Sequence, residues 1–500
     1  MTGRGHAPMI MVALIGATAA AMLLPAAVGF TLREHQLARA FLYSAALLGS
    51  IAALIHLATR FSRAQRGALS HPFMILTLAY VLLPALMAIP MTEAVPGLRF
   101  GDAWFEMLSA FTTTGASLLE GAGTRSLDLW RATVAWGGGL FVLISVVALL
   151  APLNLGGVEL FRAKVGFGTV ADPAMQAQFG VYDPSMDRNI LRLHDQVRLI
   201  APAYLGLTLV LWVALSMAGN PPLVALMLAM STLSTSGIAP AGALESIVTE
   251  ALIAGFLIFA VSRRLWPGRT ALHPLGASKR RDPELVLAGS ILALICLVLG
   301  LRAVFWPTQA GFVENLSVIW AHGFTSLSFL TTAGFISTVS GGLETVFPGP
   351  TGIVVMGLAL FGGGVATTAG GLKLMRVFAL GWQARREVSR LLYPDGVGGD
   401  GTQMRNLRRE GAFAAWLFLM IFIFSLTSVT AFLTLAGLPL EDAMVFAVAA
   451  LTTTGPLPDI AASEPMHWVA LGDGPKVILG VAMLLGRLEL LLLLSVLWAR

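Results

Sequence analysis

Charge is scarce in this chain of 500 residues. Asp, Glu, Lys and Arg together make up 12% of it, where a soluble globular protein carries about 25%. Cysteine is nearly absent. The single Cys296 sits in an apolar run, which excludes a disulfide framework and any zinc cluster built on cysteine; it reads as a small packing residue. The 8 histidines are scattered, and neither an HExxH nor a GxSxG pattern occurs. A membrane protease or lipid-modifying transferase would need clustered His, Asp or Glu, so an enzyme is not expected. What the chain does have is apolar surface: 56% of it is hydrophobic and the mean hydropathy is +0.80. So apolar a chain cannot hide its surface from water, and lipid is the expected solvent for most of it. The net charge of +5 then reads as basic loops on one side of a membrane, with no nucleic-acid partner.

Long apolar runs predict ten spans, at about 9–30, 37–58, 72–92, 132–153, 197–218, 243–262, 284–305, 349–380, 411–437 and 475–498. Four shorter apolar stretches lie between them, at about 102–113, 221–234, 316–331 and 441–452. Each is too short to cross about 30 Å of hydrocarbon as a helix, so re-entrant segments are expected. The first thirty residues resemble a signal peptide, with Arg4, an apolar run from Met9 and small residues near Ala26. The run is long enough to span and another span follows, so retention is expected.

Most basic residues fall in four connecting loops, marked by Arg60–Arg66, Arg162–Arg198, Arg263–Arg281 and Lys373–Arg409. All four share one side if the N-terminus is inside, and the positive-inside rule makes that side the cytoplasm. Both termini are then inside. The opposite side holds the short stretches and many carboxylates, among them Glu93, Asp102, Glu106, Glu120, Glu245, Glu314, Glu344, Glu441, Asp442, Asp459 and Glu464. An acidic outer mouth is expected there.

One short pattern follows each of the four short stretches. It reads Phe111-Thr112-Thr113-Thr114-Gly115, Leu233-Ser234-Thr235-Ser236-Gly237, Leu330-Thr331-Thr332-Ala333-Gly334 and Leu451-Thr452-Thr453-Thr454-Gly455. The unit is span, short helix, threonine turn, span. It divides the chain into a leading pair of transmembrane helices at 1–66 and four pore repeats at 67–165, 166–270, 271–390 and 391–500. The fold class expected is an all-α polytopic membrane protein built around one pore.

The physics of a cation filter asks for this pattern. An ion leaving water must have its hydration shell replaced by oxygens. Backbone carbonyls can supply them only where the chain is irregular, and such backbone survives at membrane depth only beside a polar cavity. Glycine permits the necessary dihedrals, and threonine or serine hydroxyls can add oxygens or tie the turn down. The C-terminus of the preceding short helix carries partial negative charge that favours a cation. For one copy, a plain helix ending with glycine at C′ explains the motif as well; four copies in equivalent places favour a pore.

The pattern, its fourfold repetition and the extra leading pair resemble the Trk/Ktr/HKT superfamily of potassium transporters, nearest the bacterial Trk potassium uptake membrane subunit. The resemblance covers essentially the whole chain. Trp136-Gly137-Gly138-Gly139, Ala229-Met230-Ser231-Thr232, Ala369-Gly370-Gly371-Leu372-Lys373 and Gly486-Arg487-Leu488-Glu489 fit it in order. It implies a K⁺ pathway in a bacterial cytoplasmic membrane, a homodimer, and a cytoplasmic nucleotide-binding regulatory subunit of the TrkA type. No organic cofactor is expected in this chain, which shows no nucleotide-binding fold. In this superfamily a serine at the first filter glycine is associated with Na⁺ selectivity, so Gly115 favours K⁺. Pro456, directly after the fourth glycine, lacks an N–H and stiffens its turn; the fourfold symmetry is expected to be imperfect.

Beneath the filter, Gly362-Gly363-Gly364-Val365-Ala366-Thr367-Thr368-Ala369-Gly370-Gly371 interrupts the span at 349–380. Glycine in a helix interior costs about 1 kcal/mol against alanine, so the span should break there into an intramembrane loop that gates the pore. The resemblance implies the same. Close helix packing is the alternative. A phosphate loop is disfavoured because the run lacks Gly-Lys-Ser/Thr. Lys373 could ease loop closure or snorkel to the interface. Arg487, near the middle of the last span, is expected to face the pore below the filter and limit cation occupancy, as the matching family arginine does, with a salt bridge to a neighbouring span as the alternative. Glu489 points elsewhere on that helix. His322 reads as packing. Few acidic residues fall inside spans apart from Glu489, which favours a channel-like pathway over a symporter coupling K⁺ to H⁺ or Na⁺.

Overall fold

The computed structural model describes residues 7–61, 72–119, 124–150, 186–240, 242–244, 246–267, 282–305, 312–338, 352–392, 402–462 and 465–488. Among them every regular element is a helix and no strand occurs, so this is an all-α polytopic membrane protein. The leading pair is α1 (Ala7–Thr31) and α2 (His35–Phe61). The order helix, second helix, threonine turn, helix follows four times, the second helix having 12 or 13 residues in three sets and 19 in the third. It comprises α3 (Pro72–Ala94), α4 (Phe100–Phe111) and α5 (Arg125–Ser145); then α6 (Met186–Met217), α7 (Pro222–Ser234) and α8 (Ile247–Val261). The third set is α9 (Pro283–Phe305), α10 (Phe312–Leu330), α11 (Gly352–Phe361) and α12 (Leu374–Leu392). The fourth is α13 (Thr402–Leu435), α14 (Leu440–Thr452), the single turn α15 (Pro458–Ala461) and α16 (Asp473–Leu488).

Six of these helices are long and apolar enough to cross a membrane: α1, α2, α3, α5, α6 and α13. The helices at the other four expected spans are not among these six. One of them, α8, has 15 residues, which is about 22 Å of helix. The expected span at 349–380 is divided into α11 and α12 by the glycine run. Three spans begin well before hydropathy predicts: α5 at Arg125, α6 at Met186 and α13 at Thr402. Helix α5 starts at Arg125, not 132, because its first turns are polar but paired: Arg131 lies 2.5 Å from Glu106 and 3.5 Å from Asp128. Hydropathy cannot see a charge that is neutralised. The expected boundaries at 66, 165 and 270, and Arg162, Glu120, Glu344, Glu464 and Glu489, lie outside the described residues.

The core sits around α5, the most buried of the six, while α13 is the least buried. Phe413, Phe424 and Phe432 on α13 are exposed, Phe424 by 73%, and large apolar side chains in that number need lipid to cover them. Helices α1 and α2 pack on each other through small residues: Ala38 lies directly against Gly29, the close approach that drives helix association in lipid. Trp130 of α5 joins this pair to the first repeat. Its ring meets Phe41 of α2 edge-on at 5.5 Å, and its Nε1 donates to the Met87 carbonyl of α3 at 3.3 Å.

Candidate functional site

The four threonine turns share one backbone conformation. The second hydroxyl residue of each has a left-handed φ: 58° at Thr113, 54° at Thr235, 55° at Thr332 and 54° at Thr453. For a β-branched residue this is a strained conformation, of the kind that persists where the surroundings enforce it. The hydrogen bonds say what enforces it. Thr113 N–H donates to the Ala110 carbonyl (2.9 Å) and Thr114 N–H to the Ser109 carbonyl (2.8 Å). The same pair recurs from Thr235 and Ser236, from Thr332 and Ala333, and from Thr453 and Thr454. That is a Schellman helix ending, with threonine at the left-handed position. The glycine follows two residues later, so the motif is more than a helix stop with glycine at C′.

The hydroxyls divide by position. The first of each turn bonds back to the carbonyl four residues earlier: Thr112 to Leu108 (2.8 Å), Ser234 to Met230 (2.9 Å), Thr331 to Leu327 (2.9 Å) and Thr452 to Val448 (2.8 Å). The third braces the first, as Thr112–Thr114 (2.9 Å), Ser234–Ser236 (3.1 Å) and Thr452–Thr454 (3.1 Å). Ala333 has no hydroxyl to do so. The second is left over in the first and fourth turns. Buried Thr113 Oγ1 and Thr453 Oγ1 have no hydrogen-bond partner among the described residues, and Thr235 Oγ1 reaches only its neighbour's carbonyl, Ser234 O (2.7 Å).

The turns form a closed ring of neighbours. A Cβ added at Gly115 would collide with the Ser236 carbonyl, and one at Gly237 with the Ala333 carbonyl. One at Gly455 would lie 2.6 Å from the Thr114 carbonyl. The exception is Gly334, whose neighbour is the Pro456 ring, 2.7 Å from such a Cβ. Turn one thus meets two, two meets three, three meets four and four meets one. Gly115, Gly237 and Gly334 also have positive φ (79°, 67° and 78°), and Gly455 does not.

The glycine loop is bonded to the ring's helix-facing side. Gly370 N–H donates to Thr332 Oγ1 (2.7 Å), and Thr368 Oγ1 to the Leu233 carbonyl (3.0 Å). A Cβ at Gly370 would strike the Thr452 carbonyl. On its other side, Gly364 N–H and Thr367 Oγ1 both donate to Ala260 O (2.9 and 3.0 Å). Leu374 N–H donates to Gly363 O (2.9 Å), and Lys373 Nζ to Ala369 O. Gly362 and Gly371 take φ of 71° and 75° where α11 and α12 stop and start. A cavity beside the loop is lined by Thr367, Gly370, Gly371, Lys373, Val142 and Arg487. The structure therefore brings Arg487 and Lys373 to one place. Arg487 is 7% exposed; its Nε and Nη2 have no hydrogen-bond partner, and no ion pair to it occurs among the described residues.

Several functional contacts were not foreseen. Glu106, read as part of an acidic mouth, is 1% exposed and holds the first turn from behind. It accepts from Leu118 N–H at 2.7 Å and pairs with Arg131. Asp102 is likewise engaged by Arg99 (3.0 Å) and Lys476 (2.7 Å), so these two carboxylates do not make a free acidic mouth. Glu250 and Glu284 are buried within α8 and α9, contrary to the expectation of few carboxylates inside helices. Both are bonded: Glu250 accepts from Trp320 Nε1 (2.8 Å), and Glu284 from Val365 N–H of the glycine loop (2.8 Å). Serines one turn before the motif also act. Ser109 Oγ donates to the Ala116 carbonyl (2.9 Å), and Ser328 Oγ accepts from Phe335 N–H (2.6 Å); their recurrence three residues before the first hydroxyl was the available signal. His322 and Cys296 lie in α10 and α9 away from the ring, and Cys296 Sγ packs toward Gly323.

Comparison with known proteins gives one consistent answer. The chain is 27% identical over 444 residues to the Trk system potassium uptake protein TrkH of Vibrio parahaemolyticus, covering 85% of this chain and 84% of that one. It is 27% identical over 434 residues to TrkG of Escherichia coli, covering 84% and 82%. The crystal structure of the potassium transporter TrkH from Vibrio parahaemolyticus matches with a TM-score of 0.76 at 24% identity, over 99% of both chains. No family model matches. The resemblance read from the threonine turns thus extends along most of the sequence, and relatives named for uptake accord with a chain that is not an enzyme.

Proposed function

We propose that this chain, a relative of the Trk system potassium uptake proteins over most of its length, takes up K⁺ across the bacterial cytoplasmic membrane through the ring of four threonine turns. The observation that carries the reading is the ring itself. Four equivalent turns close on one another, each with a strained threonine at the same position. Two of those threonines keep buried hydroxyls without a partner among the described residues. Buried polar atoms in native proteins are satisfied, and a dehydrated cation would satisfy these. Residues 112–115, 234–237, 331–334 and 452–455 supply the oxygens, and 362–373 form the gate. Arg487 limits cation occupancy below the ring. The chain acts as a homodimer in lipid, with both termini inside and a nucleotide-binding regulatory subunit of the TrkA type on the cytoplasmic face. The units 67–165, 166–270, 271–390 and 391–500 are the four repeats. The bonds already made by Glu250 and Glu284 favour a structural role for them, and hence an uncoupled pathway over H⁺ or Na⁺ symport.

The test is ⁸⁶Rb⁺ uptake into liposomes holding wild type or Gly115→Ser, with K⁺, Na⁺ and Li⁺ as competitors. Wild type should take up Rb⁺ with K⁺ competing far better than Na⁺, and Gly115→Ser should lose that preference. A wild-type flux blocked equally by Na⁺ and K⁺ would refute the reading.

A further inference from the structure

The fourth turn differs from the other three in what its glycine carbonyl does. Among the described residues the carbonyls of Gly115, Gly237 and Gly334 accept no hydrogen bond, whereas Gly455 O accepts from Trp468 Nε1 at 2.9 Å. Trp468 is 1% exposed. Its ring stands edge-on to Phe446 of α14 at 4.9 Å and lies 6.0 Å from Phe105 of α4. It therefore packs against these two helices, with the Gly455 carbonyl directed at its indole N–H. The fourth turn also lacks a contact seen in the third. Turns one, two and three are preceded by Ser109, Ser231 and Ser328, and the equivalent residue of the fourth is Ala449. Ser328 accepts from the N–H of Phe335, the residue after its glycine; the residue after the fourth glycine is Pro456, which has no N–H. The bond from Trp468 is the one that fixes the fourth glycine. The turned-out glycine also carries the Pro456 ring across the site, where it meets Gly334 of turn three and comes within 3.2 Å of a Cβ placed on Gly237 of turn two. Turn two lies across the ring from turn four, so the proline reaches over the opening.

We propose that Trp468 is a positioning residue for ion selectivity: it holds the Gly455 carbonyl out of the outermost oxygen ring, leaving three glycine carbonyls there with Pro456 narrowing the opening. This rests on the ring being the cation pathway. The number and field strength of coordinating carbonyls bear on K⁺ against Na⁺ preference, so three oxygens discriminate less than four. Trp468→Phe keeps the ring packing and removes the donor. The Gly455 carbonyl, left without its partner, turns toward the ion, and K⁺ preference over Na⁺ rises.

The experiment is competitive ⁸⁶Rb⁺ uptake into liposomes for wild type, Trp468→Phe and Gly115→Ser, with K⁺ and Na⁺ as competitors. The K⁺/Na⁺ preference of Trp468→Phe should rise over wild type, because the number of coordinating carbonyls bears on it. An unchanged or lower preference, or a folded but silent protein, overturns the proposal; if Gly115→Ser still lowers the preference in the same assay, the filter reading stands without it. If neither variant shifts the preference, the filter reading fails and the proposal falls with it. Should Trp468→Phe not fold, Pro456→Ala gives a second reading. Removing the ring from Gly237 and Gly334 should raise Cs⁺ uptake relative to K⁺, and an unchanged Cs⁺/K⁺ ratio overturns the proposal.

Discussion

Gly455 donates its N–H to the Thr114 carbonyl across 2.6 Å, and that bond is the seam where the fourth turn closes on the first. The two residues are brought together from opposite ends of the chain. A side chain has no room at the seam: a Cβ on Gly455 would lie 2.5 Å from Gly115 C and 2.6 Å from Thr114 O. Because φ at Gly455 is not positive, alanine there is excluded by contact alone. Gly455→Ala should leave the protein folded and lower K⁺ uptake about tenfold, the factor that about 1.4 kcal/mol represents. Wild-type uptake in the variant would show that the seam is not part of the pathway.

Glu284 holds the glycine loop from the side away from the ring. Its removal leaves the buried Val365 N–H unpaired, at about 1–3 kcal/mol, and loosens the loop's attachment to α9. Glu284→Ala should therefore raise K⁺ flux measured without any regulatory partner. Glu284→Gln keeps an acceptor and should stay as closed as wild type. Equal basal flux in all three proteins would remove Glu284 from the account of gating.

Arg487 lines the cavity beside that loop with no counter-charge among the described residues. A buried cation repels another at close range far more strongly than in water. Arg487→Gln should raise the K⁺ uptake rate severalfold, with about tenfold marking 1.4 kcal/mol of repulsion removed. A lower thermal stability with no change in uptake would assign Arg487 a packing role instead.

Arg99 grips Asp473 with both terminal guanidinium nitrogens, at 2.5 and 3.0 Å, and so links the start of α4 to the start of α16. The Arg99 hydrogen bond holds the Asp473 carboxyl below its usual range. A carboxylate with a depressed folded value stabilises the protein above its ordinary value, near pH 4, and loses that contribution as the pH falls through the depressed one. The difference in Tm between wild type and Asp473→Asn should therefore be present at pH 7 and shrink as the pH falls below about 4 and through the depressed value. The pair is exposed, so the difference should be small and shrink in high salt. A difference that persists unchanged at pH 3 would show that the carboxylate charge is not its source.

The helices and the four turns were legible in the sequence because both rest on local patterns: apolar runs for the first, a five-residue motif for the second. The break at Gly362–Gly371 was legible for the same reason. What each hydroxyl does was not. Thr112 and Thr113 are adjacent and chemically identical, yet one ties the helix end and the other is left with a free hydroxyl. Only the Schellman geometry separates them. Trp468, Glu106 and Glu284 were missed because each acts at a distance: Glu284 reaches a loop 81 residues away, and hydropathy scores a buried, bonded carboxylate as if it faced solvent. The start of α5 was misplaced on the same ground, since Arg131 counts as a charge until Glu106 is beside it.

The most direct test of the central claim is where a cation sits. Crystals of the protein grown in Rb⁺ should show anomalous density inside the ring of turns, within reach of Thr113 Oγ1 and Thr453 Oγ1. Density confined to other places, or none at Rb⁺ concentrations that support uptake in liposomes, would contradict the assignment of the four turns as the K⁺ pathway.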